Sequence, residues 1–345
     1  MSQRATAPIP GPLGRIASVG YALGLDRRSR RFDRGKGVVT LDRPVISVGN
    51  LSVGGTGKTP MVARIVRTLR DAGKDPAIAM RGYKSRDGIS DEAELYRSLF
   101  DDLPIVAQPD RLFGLIKMFG SERGQRVDCI VLDDGFQHRR IARQMDIVLI
   151  DATKSPFNDC LLPAGWLRER PTALARATHV VITHVEASDS ATVTGIRCDL
   201  ASIAPTMPIA TCRHAWSSLD VSDNGVDRTE PVAWLRNKRV LAVCAIGSPQ
   251  PFLDGVAAAC GSPAMCRSVV LPDHDAYEPR AVARVLVEAD GVDVIVTTGK
   301  DWTKLARRDV AWPLPIARPR LELEFADGEA AFDEAVLMTS ERTPD

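Results

Sequence analysis

The sequence predicts an α/β protein: a parallel β-sheet flanked by helices, followed by a second, smaller α/β lobe. Short β-branched runs alternate with helical patterns between residues 45 and 183, and this rhythm is typical of a parallel sheet. A Ser/Thr/Asp-rich interval follows Glu186, and the alternation restarts at Val240. A length of 345 residues also favours two domains, so the sheet and the lobe are assigned to separate parts of the chain.

The candidate strands before Glu186 are rich in Val and Ile and lie at Val45–Val48, Ala77–Met80, Cys129–Leu132, Ile147–Ile150 and Val180–Thr183. Helical patterns lie between them, for example Met61–Ala72 and Leu112–Arg123. The later candidate strands are Val240–Ile246, Ser268–Leu271, Val292–Thr298 and Arg320–Phe325. We therefore expect an N-terminal segment over residues 1–40, a core domain over 41–190, and a smaller domain over 191–345 that closes the active-site cleft.

Composition excludes several classes of protein. No run of about 18 apolar residues is present, so the sequence predicts no membrane-spanning helix. The seven cysteines are scattered and never form a C-x-x-C pair, which argues against a disulfide framework and a zinc site and indicates a reducing compartment. Residues 1–40 carry a net charge of +6 and the remainder −5, so the body lacks the basic face of a nucleic-acid-binding protein.

The N-terminal segment combines an apolar stripe with a basic cluster. Leu13, Ile16, Val19 and Leu23 recur at helical spacing, and four arginines follow between residues 27 and 31. Such a helix suits an anionic membrane surface. The alternative is a terminal helix that packs on the body and carries a solvated charge run.

Residues 44–60 predict a phosphate-binding loop. A buried strand leads into the run Gly54-Gly55-Thr56-Gly57-Lys58-Thr59, which opens a helix. Glycines allow backbone N–H groups to surround phosphate oxygens, the lysine reaches the β- and γ-phosphates, and the threonine hydroxyl binds magnesium. The usual pattern has glycine where this chain has Ser52. The alternative, a glycine-rich turn without a ligand, does not explain why strand, Gly-Lys-Thr and helix coincide.

A second strand ends in Asp133 and Asp134 of the motif D-D-G-F-Q-H. Carboxylates at the carboxyl end of such a strand contribute to the magnesium site of phosphate-loop enzymes. The alternative is a strand-ending turn cued by Asp-Gly. The spacing does not indicate which aspartate binds the metal. Together the two motifs refine the predicted fold to a P-loop NTPase-type sheet.

With these motifs in place, the chain resembles the tetraacyldisaccharide 4′-kinase (lipid A 4′-kinase) family. The resemblance extends to about residue 325 and rests on nine ordered stretches. They are VISVGNLSVGGTGKTP (45–60), AMRGY (79–83), SDEAELY (90–96), DDGFQHRRIARQMDIVLIDA (133–152), LLPAGWLRE (161–169), ATHVVITHVE (177–186), AIGSPQPF (245–252), LPDHDAY (271–277) and TTGKDWTKL (297–305).

The resemblance implies transfer of the γ-phosphate of ATP, with Mg²⁺, to the 4′-hydroxyl of an acylated glucosamine disaccharide 1-phosphate. It implies a peripheral enzyme at the cytoplasmic face of the inner membrane of a Gram-negative bacterium, within lipid A biosynthesis. The partners would be this lipid substrate and the anionic membrane surface, with no nucleic acid and no obligate protein partner. It also favours the membrane-surface interpretation of the N-terminal helix.

The resemblance also implies roles for single residues. Lys58 and Thr59 match the nucleotide and magnesium positions, and Asp133 and Asp134 match the second acidic motif. Asp91 and Glu92 match an acidic pair, of which Asp91 is the candidate general base for the sugar hydroxyl. His274 matches the family histidine and would orient Asp91 or tune its basicity. First-turn acids of a helix and a turn histidine are the structural alternatives.

Glu92 of the acidic pair is also a substrate candidate, and four further residues join it. Arg81 follows a strand, and the guanidinium groups of Arg81 and Arg168 suit phosphate oxygens. Glu169 adjoins Arg168, and His138 follows the acidic motif closely. Solvated surface side chains are the alternative. The chain departs from the family pattern at Lys84, Ser90, Ala93, Asp275 and Gly299, none of which is a candidate catalytic group.

A second function class shares the phosphate loop. Membrane-associated ATPase or GTPase switches of the partitioning and protein-targeting kind also carry G-G-x-G-K-T. Such ATPases usually have a lysine just before the glycine pair, where this chain has Val53. A switch would only hydrolyse nucleotide, whereas a kinase requires an acceptor.

Overall fold

The computed structural model describes residues 7–82, 90–247, 249–273, 275–306, 310 and 312–342. The strands are β1 Val45–Asn50, β2 Pro76–Met80, β3 Ile105–Ala107, β4 Cys129–Asp133, β5 Met145–Asp151, β6 His179–Thr183, β7 Ile209–Asp223, β8 Val226–Glu230, β9 Val240–Cys244, β10 Cys266–Val270, β11 Val294–Thr297 and β12 Ile316–Asp327. The helices are α1 Pro12–Asp33, α2 Lys58–Asp71, α3 Asp91–Leu99, α4 Arg111–Phe119, α5 Glu122–Gln125, α6 Ser190–Ile203, α7 Gln250–Cys260, α8 Pro279–Glu288, α9 Gly299–Leu305 and α10 Glu329–Ser340.

The chain divides into two compact units. The first unit comprises Met1–Tyr83, Leu99–His214 and Leu323–Asp345. The second unit comprises Lys84–Ser98 and Ala215–Glu322. This division differs from the contiguous boundaries expected at residues 40 and 190, because α10 packs in the first unit. There Arg64 of α2 pairs with Asp333 at 2.5 Å and with Glu329 at 3.0 Å. Sequence rhythm locates strands and helices, but it does not show which distant element each one joins.

The first unit is built on a parallel sheet with strand order β3-β2-β4-β1-β5-β6, to which the first residues of β7 add. Its central strands β1, β4 and β5 are buried along their whole length. Strands with both faces covered read as continuous apolar runs, which explains why the sequence locates them well. The predicted α/β fold with a parallel sheet is confirmed. In register, Val48 of β1 lies beside Asp133 of β4, which places both predicted motifs at adjacent strand ends.

The second unit contains its own parallel arrangement in the order β10-β9-β11-β12. The later residues of β7 form an antiparallel hairpin with β8 in the same unit. Strand β9 carries apolar side chains on both of its faces. Leu241 and Val243 pack in one apolar cluster, and Val240 and Ala242 pack in another on the opposite face. Strands β9, β10, β11 and β12 correspond to the four strands predicted for this part of the chain. In contrast, β7 and α6 begin in the Ser/Thr/Asp-rich interval, for which the sequence predicts no element. Both elements are partly exposed, so their apolar pattern is weak.

Helix α1 forms over 22 residues although it contains three glycines. Its inner face packs on the first unit: the Ser18 hydroxyl donates to the Leu161 carbonyl at 2.9 Å, and the Tyr21 hydroxyl donates to the Arg168 carbonyl at 3.1 Å. Gly14 is required there, because a Cβ would lie 1.8 Å from the Ile9 carbonyl oxygen. Tertiary contacts therefore offset the low helix propensity of glycine. Across the described residues, none of the helices has the length and apolar character needed to traverse a bilayer.

Candidate functional site

The loop between β1 and α2 has the geometry of a phosphate-binding loop. Gly54 has φ +120° and Gly57 has φ +83°, a backbone region that side chains rarely adopt. The Asn50 side-chain amide donates to the Thr56 hydroxyl at 2.9 Å and ties the end of β1 to the loop. Helix α2 then begins at Lys58, with Thr59 in its first turn. This strand, loop and helix N-terminus form the arrangement that binds phosphate through backbone N–H groups and the helix dipole.

The segment that ends in Arg168 and Glu169 pairs with this loop. The Val53 N–H donates to the Trp166 carbonyl at 2.8 Å, and the Arg168 N–H donates to the Leu51 carbonyl at 2.7 Å. Backbone pairing on both sides of Ser52 fixes the loop against a neighbouring strand-like segment. The motif L-P-A-G-W-L-R-E is thus brought to the phosphate loop from more than one hundred residues away in the chain.

Arg168 and Lys58 converge on Asp134. The Arg168 guanidinium donates to both carboxylate oxygens of Asp134 at 2.7 Å, and it also donates to the side-chain oxygen of Asn50. The Lys58 Nζ lies 3.7 Å from Asp134 Oδ1. The buried Arg111 at the start of α4 donates to the Asp134 carbonyl at 3.1 Å. Two cationic side chains therefore contact the Asp134 carboxylate beside the phosphate loop, and a third, Arg111, contacts the backbone of the same residue.

These cations control the ionisation of Asp134. Burial by itself would raise the pKa of the carboxyl group, but the hydrogen bonds from Arg168 and the charges of Lys58 and Arg111 outweigh burial. The pKa of Asp134 is consequently held well below its ordinary value, so this side chain is ionised at neutral pH. An ionised Asp134 is therefore the counter-ion of both Lys58 and Arg168 beside the loop.

Asp133 is the last residue of β4 and is almost fully buried. The following turn comes very close to β1, because a Cβ on Gly135 would lie 2.4 Å from the Ser47 hydroxyl oxygen. Asp134 itself has φ +52°, which carries the chain sharply away from the strand. The Asp-Asp-Gly run therefore does form a turn, as its structural alternative requires, and that turn aims Asp134 at Lys58.

The remaining substrate candidates of the first unit occupy different environments. Arg81 is exposed directly after β2. Burial lowers the pKa of Arg111, the charges of Asp134 and Asp133 oppose this shift, and the positive charge of Arg81 adds to the lowering. His138 is partly buried, and burial together with nearby arginines, Arg111 first among them, lowers its pKa to about 4. It is therefore neutral at pH 7. Glu169 is only 8% exposed and pairs with Arg176 at 2.8 Å.

The acidic pair Asp91–Glu92 opens α3, and Asp91 belongs to the second unit. The structure describes the backbone of Asp91 as the first helical residue. The side chain of Asp91 and all of His274 lie outside what the structure describes, so the roles of Asp91 and His274 stay predictions. Glu92 is partly exposed in the first turn of the helix.

Sequence reasoning missed two contributors to this cluster, Arg111 and Asn50. Arg111 precedes an apolar helical pattern and follows the N-cap Asp110, so it looks like an ordinary helix-start residue. Asn50 is the last residue of the buried strand β1, and a polar side chain at that position is the sequence feature that could have identified it. Both matter because of partners distant in the chain, which no local pattern reveals.

Comparison with known proteins gives consistent results. A sequence model of the family described as tetraacyldisaccharide-1-P 4′-kinase matches residues 12–340. A tetraacyldisaccharide 4′-kinase of Geobacter sulfurreducens is 34% identical, with 96% of this chain and 95% of the relative covered. One from Anaeromyxobacter sp. strain K is 32% identical, with 97% and 95% covered.

A solved structure agrees with these relatives. The crystal structure of LpxK from Aquifex aeolicus in complex with ATP is similar to this chain with a TM-score of 0.70 and 25% identity. The similarity covers 93% of this chain and 96% of that one. The resemblance read from the nine sequence motifs is confirmed: the chain belongs to the tetraacyldisaccharide-1-phosphate 4′-kinase family.

Proposed function

We propose that this protein transfers the γ-phosphate of ATP to the 4′-hydroxyl of a tetraacyldisaccharide 1-phosphate, a lipid A precursor. The family and its curated members carry this activity in their names. The structural observation that supports it most is the cluster of Lys58, Arg168 and Arg111 around Asp134 beside the phosphate loop. The nucleotide-switch alternative is not favoured, because the similarity spans the whole chain and not the loop alone.

The nucleotide is held by residues 54–59. The loop N–H groups and the N-terminus of α2 bind phosphate oxygens, and Lys58 neutralises charge on the β- and γ-phosphates. Arg168 is paired with Asp134 and carries a planar fork of donors that suits an incoming phosphoryl oxygen. Phosphoryl transfer gains mainly from such positioning and charge neutralisation, since little covalent chemistry is asked of the protein.

Magnesium fits the side chains at this place. Within the described residues there is no cluster of three or more acidic, His or Cys side chains. Magnesium bound with a nucleotide needs only one or two carboxylates, because the phosphates and water supply the other oxygens. Thr59 offers a hydroxyl, and Asp133 and Asp134 offer two carboxylates at the end of β4, although both oxygens of Asp134 also accept from Arg168. We assign Thr59 and one of these two aspartates to the ion, which would neutralise phosphate charge, and we assign to Asp134 the further role of holding Lys58 and Arg168.

The acceptor requires a base and recognition of its head group. Asp91 is proposed to take the proton of the 4′-hydroxyl, with His274 supporting it. Arg81, Glu92 and His138 are proposed to contact the disaccharide phosphate or sugar. A neutral His138 offers one hydrogen-bond donor and one acceptor, which suits a sugar hydroxyl. Glu169 is proposed to act through Arg168, since Arg176 already binds its carboxylate.

A direct assay tests the function. Purified protein with Mg-ATP and a tetraacyldisaccharide 1-phosphate should yield the bis-phosphorylated lipid, detected by mass spectrometry, with one ADP formed for each lipid product. Nucleotide hydrolysis that is independent of the disaccharide, without lipid product, would instead identify a nucleotide switch. The assay should be repeated without magnesium, where we expect product formation to stop.

We further propose that α1 binds the inner membrane from its cytoplasmic side. Its outward face carries Leu13, Ile16, Val19 and Leu23, each between 56% and 75% exposed. Arg27, Arg30 and Arg31 continue this face and are exposed. The inner face packs on residues 161–170, so the helix both docks on the body and presents an apolar and basic surface. Apolar insertion together with attraction of arginines to anionic lipid, about 1 kcal/mol for each, is typical of interfacial helices.

The membrane proposal predicts a selective defect. The triple variant Ile16→Ser, Val19→Ser and Leu23→Ser should bind vesicles of phosphatidylglycerol and phosphatidylcholine more weakly, because it removes apolar area that enters the bilayer. Its activity should fall on vesicle-borne substrate and stay near normal on detergent-dispersed substrate. Binding of the unmodified protein should also weaken at high salt.

Deleting residues 1–31 is a poorer test, because Tyr21 contacts the backbone of Arg168. A matched control, Val226→Ser with Val287→Ser, replaces two apolar side chains of the second unit whose exposure is similar to that of the apolar side chains of α1. This control should bind vesicles normally. Equal vesicle binding by the triple variant and the unmodified protein would refute a membrane role for α1.

A further inference from the structure

Two stacked histidines lie in the first unit and have no role in the function described so far. His184 follows the last residue of β6, and His214 lies in β7. Their ring centroids are 4.0 Å apart and the ring planes differ by 22°. His184 is further oriented through its Nδ1, which lies 3.2 Å from the Thr183 hydroxyl and 3.5 Å from a carboxylate oxygen of Asp151. The pair is thus a flat, oriented aromatic surface.

This pair lies directly against the phosphate loop. A Cβ on Gly57 would be 2.7 Å from His214 Nε2, so the imidazole occupies the space beside that glycine. The Thr183 hydroxyl donates to the Thr56 carbonyl at 3.2 Å and ties the end of β6 to the same loop. Ligands of parallel sheets bind outside the carboxyl ends of the strands. The histidines are therefore placed where part of a nucleotide held by the loop is within reach.

The two sides of the phosphate loop differ in chemistry. On the side of β4 lie the charged Lys58, Asp134 and Arg168. On the side of β6 the His214 ring is uncharged at neutral pH, since burial first and the neighbouring His184 second lower the pKa of His214 to about 3. A nucleoside triphosphate has the same asymmetry: charged phosphates at one end and a flat, neutral base at the other. Aromatic rings stack on nucleic-acid bases of any identity, because every base has a π-face.

We propose that the purine base of the bound nucleotide stacks on His184, and that His214 is the positioning residue that backs this ring and holds it against the phosphate loop. The inference rests on the proposed function, in which the loop binds ATP. His184 is assigned as the contacting ring because its side chain is 17% exposed, whereas that of His214 is 9% exposed. Glu186 holds His214 in place, since the Glu186 carboxylate accepts a hydrogen bond from the backbone N–H of His214 at 3.3 Å.

The test separates the base from the phosphates. Affinities of the full chain for Mg-ATP and for magnesium tripolyphosphate, which has three phosphates and no nucleoside, are measured by calorimetry. His184→Ala should weaken ATP binding roughly 5- to 150-fold, the range expected for loss of one stacked base, and leave tripolyphosphate binding unchanged. His184→Phe should retain the preference for ATP because it keeps an aromatic face. His214→Ala should also reduce that preference.

Controls keep the outcomes distinct. His179→Gln alters a histidine that faces Phe332 in the same unit and should change neither affinity. If His184→Ala is unstable, His184→Gln repeats the comparison with a side chain of similar length and no ring. Equal losses for ATP and tripolyphosphate, or no loss for either, would overturn the stacking proposal while leaving the loop assignment intact. Failure of the unmodified protein to bind either ligand would overturn the proposed function and this inference with it.

Discussion

The Lys58→Ala variant is expected to lose phosphoryl transfer by about 10³-fold or more. In the proposed function, Lys58 supplies the charge that stabilises the β- and γ-phosphates, and residues 50–60 contain no second lysine that could replace it. The substitution also leaves Asp134 with one fewer cation, since the two groups are 3.7 Å apart in the protein. The measurement is the rate of lipid product formation at saturating ATP, together with ATP affinity.

The fold should survive this change, because Lys58 is at the surface of the loop and contributes nothing to the apolar core. Equal thermal unfolding temperatures for the variant and the unmodified protein would show this. Lys117→Ala, on the exposed side of α4, is a matched lysine control and should keep normal activity. If Lys58→Ala turned over lipid at a near-normal rate, the assignment of residues 54–59 to the triphosphate would be wrong.

The second large effect is expected for Asp91→Asn. A general base contributes typically about 10²–10⁴-fold, so kcat should fall by a factor in this range. The affinity for ATP should change little, since the nucleotide is held chiefly by the phosphate loop. Asparagine keeps the size and polarity of the side chain at the start of α3 and removes only the ability to accept the proton. Glu94→Gln, in the same helix, is the matched control and should retain activity.

The same assay tests whether His274 acts through Asp91. His274→Ala alone should cost less than Asp91→Asn, and the double variant should be little slower than Asp91→Asn, as expected when two residues act as a unit. Fully additive losses would separate the two residues. Normal turnover by Asp91→Asn would transfer the base role to another carboxylate, with Asp134 as the next candidate.

Much of the fold was predictable because the buried strands carry their own signal. All nine predicted strands overlap strands of the structure, and β1, β4 and β5 are buried on both faces. The strands that were missed are β3, which has three residues, and the hairpin strands β7 and β8, which are partly exposed. Short or half-exposed strands provide too few apolar residues for a periodic pattern. The predicted helix Leu112–Arg123 is divided into α4 and α5, and the break falls at Gly120 and Ser121.

The candidate site was predictable where its chemistry is contained in a short motif. Gly54 to Thr59 span one loop and the start of α2, and Asp133 and Asp134 lie at the end of β4, so spacing along the chain already indicates the function that we propose for them. Arg111, His184 and His214 are different. Each is a single residue in an unremarkable local pattern, and only the tertiary structure shows that Arg111 contacts the Asp-Asp turn, that His214 lies beside Gly57 and that His184 stacks on His214.

The sequence by itself determined the parallel-sheet architecture, the phosphate loop and the family, because periodicity, glycine spacing and short motifs are local properties of the chain. Tertiary structure alone decided that Asp134 is engaged by Lys58 and Arg168, that α1 docks by its polar inner face with its apolar stripe outward, and that two histidines stack beside Gly57. These are pairings between elements far apart in the chain. They depend on which strands become neighbours and in what register, and burial then sets the charge state of each group that the pairing encloses.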